Sequence, residues 1–202
     1  MGDYHAAFTI LGSIIGIISY IPYFRDILSG RTKPHPFSWF VWSLLTGTIF
    51  FAQVLNGGGV GAWISGITLI ACLAITVLAF KRGEKNITTL DWSCLAAGIA
   101  GIGLWILTSQ ALIAVIIVTI TDVIMYIPTA RKSYWKPYEE TLSTWILNTF
   151  KWFFSIFGLQ TLSLTTALFP AAMVLANIFL ITMLVIRRRR ISETSPSGAS
   201  GL

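Results

Sequence analysis

Charge is what this chain most lacks. Only 11% of its 202 residues are Asp, Glu, Lys or Arg, against about 25% in an average soluble domain. A chain so poor in charge and 55% hydrophobic reads as a multi-pass membrane protein rather than a soluble domain. Cysteine is scarce too. Cys72 and Cys94 both sit in apolar runs, so no disulfide framework is legible and both read as small apolar side chains. The two histidines, His5 and His35, are far apart in sequence, and no metal cluster is visible. No Ser-His-Asp set is present. The glycines of "NGGGVGAW" (56–63) lack the Lys-Ser that a phosphate-cradling loop needs. These absences argue against an enzyme and imply no cofactor. The opening "MGDYHAAF" has no basic stretch and no small-residue cleavage site before the first apolar run, so that run is expected to stay as a helix.

What the chain has is long apolar stretches. A helix crosses the hydrocarbon core with about 20 such residues. Seven stretches qualify: Ala6–Leu28, Phe37–Leu55, Val60–Lys81, Trp92–Thr108, Ala111–Arg131, Leu142–Leu159 and Thr165–Arg187. Between them, 13 of the 14 Lys and Arg fall on one side. The positive-inside rule makes that side cytoplasmic. The N-terminus is then outside and the C-terminus inside. The fourteenth is Lys151, within the sixth stretch.

The chain also repeats itself. A shift of 106 residues lays Tyr20-Ile21-Pro22 on Tyr126-Ile127-Pro128, Arg25 on Arg131, Trp39 on Trp145 and Arg82 on Arg188, without a gap. The first three spans thus correspond to the last three. The fourth is an inverting linker, which makes the two triplets parallel repeats. The expected organisation is 1–85 for the first triplet, 86–109 for the linker helix, 110–190 for the second triplet and 191–202 for a cytoplasmic tail. In this 3+1+3 pattern with a proline in the first span of each triplet, the chain resembles the SWEET and PQ-loop superfamily of sugar and amino-acid transporters. The PnuC-type vitamin importers and the KDEL receptor are relatives in that superfamily. The chain departs from the family dipeptide, with Tyr23 and Thr129 where Gln would follow proline. The resemblance implies transport by alternating access around a midplane site.

Pro22 and Pro128 each remove a helical hydrogen bond, and their recurrence at equivalent places predicts two hinges. Asp122 and Lys151 are ionisable residues inside the expected membrane spans, which makes them functional candidates by default. Their counterparts in the first triplet are Gly16 and Leu45. The gain of one acid and one base in one copy predicts an intramembrane charge pair, either a static lock or a proton-sharing device. Polar stripes recur at helical spacing: Thr144, Asn148, Lys151 and Ser155; Thr119, Asp122, Tyr126 and Thr129; Ser38, Trp42, Thr46 and Gln53. Such faces point into a bundle. The family's use of Trp on the second helix and Asn on the third implies roles for Trp152 and Asn177. The candidate substrate-binding set is Asn148, Trp152, Asn177, Tyr126, Trp42 and Gln53. For several of the tryptophans, Trp39 and Trp63 among them, the alternative is a place in the interfacial aromatic belt. Glu139 and Glu140 read as carboxylates favouring the start of the sixth helix, with pairing to Arg131 or Lys132 as the alternative.

The leading expectation is a carrier for a small polar solute such as a sugar, an amino acid or a vitamin-like molecule. The alternatives are a non-transporting receptor or scaffold on the same fold, or an ion channel with Lys151 in its pore. The expected partners are the substrate and the lipid bilayer of a plasma or bacterial inner membrane, not nucleic acid. Proton coupling and self-association are left open.

Overall fold

A computed structural model of the chain describes residues 4–55, 62–108, 110–158 and 162–194. Side chains at 48–49, 51–55, 62–65, 67, 111, 114, 165 and 193–194 are outside that description. Among the described residues the protein is all-helical: α1 (Tyr4–Leu28), α2 (Pro36–Leu55), α3 (Ala62–Arg82), α4 (Thr89–Leu107), α5 (Ala111–Trp135), α6 (Leu142–Phe157) and α7 (Leu164–Thr194), with one 3-10 turn at Pro137–Glu139. Each apolar stretch expected from the sequence thus contains one of these helices.

Three helical segments are long and apolar enough to cross a membrane: Tyr4–Leu28, Thr89–Leu107 and Thr166–Ser192. They mark the chain as a membrane protein. α6, by contrast, has 16 residues, or about 24 Å at 1.5 Å per residue, less than the roughly 30 Å hydrocarbon thickness. The outer face of α1 agrees with a lipid setting. Ile10, Ile14, Ile17 and Ile21 are exposed at helical spacing, where a water-facing helix would carry charge.

The helix ends follow local chemistry. α1 stops at Leu28, and Gly30 takes a left-handed φ of 76°, a conformation glycine reaches at no steric cost. α2 starts on Pro36, whose missing N–H costs nothing at a helix start. α4 opens with a reciprocal cap: Asp91 N–H donates to the Thr88 hydroxyl, and Thr88 N–H donates to the Asp91 carboxylate at 2.7 Å. α5 ends before Pro137, and the 3-10 turn there reverses the chain into α6.

Six helices close a ring. α1 packs on α6, α6 on α7, α7 on α5, α5 on α2, α2 on α3, and α3 on α1; α4 lies outside, against α5 and α2. α7 therefore stands between α5 and α6. Toward the end that carries the loops 29–35, 83–88 and 136–141, aromatic rings fill the interior. Trp42 meets Trp39 at 5.2 Å, Tyr126 at 5.2 Å and Trp145 at 6.1 Å between centroids. Trp39 is 4% exposed and donates to the Tyr23 hydroxyl, so it is a core residue and not an interfacial one.

Candidate functional site

The ring encloses a cavity of about 510 Å³, and each of its six helices contributes to the wall. The lining begins at Phe8 and Thr9 near the start of α1, Gly158 after α6 and Thr166 in the first turn of α7. It ends on Tyr20, Trp39, Trp42, Tyr126 and Trp145. The aromatic cluster is thus its floor.

Of the residues singled out in the sequence, Trp42, Tyr126, Asn148 and Trp152 line this cavity, as do Asp122 and Lys151. Asn177 is not in the wall. It is fully buried behind Tyr126 and accepts that hydroxyl's hydrogen bond at 2.8 Å, so it positions Tyr126 instead of facing the cavity. Gln53 and Trp63 lie outside the described side chains. Pro22 and Pro128 sit inside α1 and α5 and do not line the cavity. Pro170, inside α7, does.

No ion pair joins Asp122 to Lys151 among the described residues. The two side chains face the same cavity, from α5 and from α6, without approaching to ion-pair distance. The Lys151 ammonium lies 4.3 Å from the centroid of the Trp152 ring, a cation–π contact. Its stem crosses to α1 and lies over Gly16, where a β-carbon would stand 2.8 Å from Lys151 Cδ. Gly16 is the counterpart of Asp122 in the repeat, and its lack of a side chain makes room for the lysine. Gly16, Tyr20 and Trp145 were absent from the sequence-derived set. The 106-residue shift pairs Tyr20 with Tyr126, and Trp145 with Trp39, and could have found the last two.

Beneath the floor, loops from both halves of the chain are bonded together. Lys132 and Glu140 form a fully buried ion pair. The same ammonium donates to the carbonyls of Lys33 and Glu139, each at 2.9 Å, which uses all three of its donors. Trp145 Nε1 donates to Glu140 Oε1 at 3.1 Å, tying this pair to the floor. Lys33 pairs with Glu139 at 2.6 Å, the Thr32 and Thr141 hydroxyls are hydrogen-bonded to each other, and Thr141 donates to Asp26 at 3.1 Å. Glu139 and Glu140 therefore latch loops, and Thr141, the residue before α6, makes no side-chain cap. The reason is the 3-10 turn, which folds Glu140 back onto Lys132. Alongside, Arg131 grips Asp91 at 2.6 and 2.9 Å. Lys136 meets Glu84 at 2.9 Å; burial works to raise the Glu84 carboxyl, but this ammonium overrides it and holds the pKa below its ordinary value.

His35 is fully buried beside this network. Its Nε2 lies 3.5 Å from Asp91 Oδ2 without hydrogen-bond alignment, and neither ring nitrogen has a hydrogen-bond partner among the described residues. Burial pushes its pKa down to about 4, with Asp91 opposing and Arg131 assisting. No family model, no curated protein and no solved structure matches this chain.

Proposed function

We propose that the protein carries a small polar solute across a membrane by alternating access, on an architecture similar to the SWEET and PQ-loop superfamily. In this reading all seven helices span, as two parallel triplets (α1–α3 and α5–α7) joined by the inverting α4, with the basic end in the cytoplasm. The neighbour relations around the ring support it. Exchanging α1, α2 and α3 for α5, α6 and α7 turns every contact of the ring into another contact of the ring, as two equivalent halves about one axis would. α6 then crosses by drawing on the thinner bilayer and flanking residues that a short span recruits.

The observation that carries the proposal is a polar-and-aromatic cavity shut at the basic end by two successive layers. The first layer is the aromatic floor; the second is the Lys132–Glu140 and Lys33–Glu139 latch. A carrier caught closed to the cytoplasm has this asymmetry, because it must never open both gates together. Opening the other way requires the latch to part and the Pro22 and Pro128 kinks to flex.

Uptake into proteoliposomes from a panel of sugars, amino acids and nucleosides tests this reading. Saturable uptake with counterflow is the expected result. Binding without flux would instead favour a receptor, and non-saturating charge-selective conductance a channel.

A further inference from the structure

Resting on the transport reading of this cavity, we propose that its solute is a zwitterion, with a cationic group received by Asp122 and an anionic group by Lys151. Asp122 and Lys151 line the same 510 Å³ space, from α5 and from α6. Lone intramembrane charges are costly and rarely left without a role. Every charged side chain in the loop network has a close partner. These two, alone in the interior, have neither a hydrogen bond nor an ion pair with any described residue, and the Lys151 ammonium rests on the face of Trp152.

Two opposite charges that share one cavity without ion-pair contact are complementary to a molecule that bears both and can bridge them. A neutral sugar would leave both charges without a charged group in direct contact. A simple anion or cation would leave one. A zwitterion supplies a charge-assisted bond at each end. Gly16 supports this placement, since its bare backbone lets the lysine stem lie across α1 and hold its ammonium on the α6 wall. Trp42 and Trp145 in the floor of the same cavity suit an apolar or aromatic body on the solute.

The test uses the intact protein in nanodiscs, with a pool of radiolabelled common amino acids as the probe. Each amino acid that binds is compared with its methyl ester, which lacks the anion, and its N-acetyl form, which lacks the cation. The expected result is that both derivatives bind at least tenfold more weakly than the parent. Lys151→Met should bring the ester level with the parent, and Asp122→Asn should do the same for the N-acetyl form. The inference is overturned if the derivatives bind as well as the parent, or if no amino acid in the pool binds. Should either variant fail to fold, the comparison on the wild type decides alone. Hexose flux without amino-acid binding would defeat this inference and leave the carrier standing. Amino-acid binding without flux would do the reverse.

Discussion

A β-carbon on Gly16 would stand 2.8 Å from Lys151 Cδ, and the lysine stem is flexible enough to yield to a methyl group but not to a branched side chain. Gly16→Ala should therefore fold normally. Gly16→Leu should push the ammonium off Trp152, costing about 1–3 kcal/mol as an overpacked core and weakening solute binding at least tenfold. Thermal unfolding and tryptophan fluorescence, read together, check both outcomes. His35 offers a second residue-scale prediction. Its ordinary pKa is 6.5 and burial brings it to about 4 in the folded protein. Between those values the unfolded chain holds more protons than the folded one, so stability falls as pH drops from about 6.5 to about 4. His35→Gln should flatten that slope, whatever it does to stability at neutral pH. Unfolding midpoints across this range in detergent are the measurement, and an unchanged slope refutes the assignment.

Among the elements, the 3-10 turn between α5 and α6 does most to shape the basic end, because it returns Glu140 to Lys132. Both side chains are sealed from solvent. Removing one partner of such a pair typically costs about 3–5 kcal/mol, since it strands a buried charge, whereas removing both can be nearly neutral. Lys132→Met and Glu140→Gln should each lower the unfolding midpoint sharply, and the double variant should recover much of the loss. Additive losses would mean that the pair acts through something other than its own charges. This turn also explains what the sequence hid. The helices were legible because apolar runs of span length separated by charged or glycine-bearing loops leave few alternatives. The repeat was legible because Tyr-Ile-Pro, Arg and Trp fall in register. Neighbour relations were not legible. Periodicity identifies a helix's polar face but not how far it stands from the face opposite, so the sequence pairs Asp122 with Lys151, whereas the two line one cavity without ion-pair contact. Glu139 and Glu140, directly before α6, looked like favourable charges at its start. Only the three-residue reversal turns them to Lys33 and Lys132.

For the molecule as a whole, the latch joins the loop after α1 to the loop before α6, and on the proposed cycle those loops separate once per turnover. The Thr32 and Thr141 hydroxyls are in hydrogen-bond contact, so paired cysteines at these positions can reach the short sulfur–sulfur distance of a disulfide. A Thr32→Cys/Thr141→Cys variant, with the buried Cys72 and Cys94 replaced by alanine, should transport when reduced and stop when oxidised. Activity should return on adding dithiothreitol. Undiminished uptake from the oxidised, fully cross-linked form would show that this end never opens.

Asp91 has one more consequence. Its carboxylate receives both the backbone N–H and the hydroxyl of Thr88 at the start of α4, and both Nε and Nη2 of Arg131 on α5. One side chain thereby fixes where α4 begins and fastens it to α5. Mechanically, α4 is then less a cable strung between two bodies than a rib of one of them. On the proposed cycle α4 would travel with α5, and the yielding link would be residues 83–88, where a stiffening substitution should brake transport without touching the cavity.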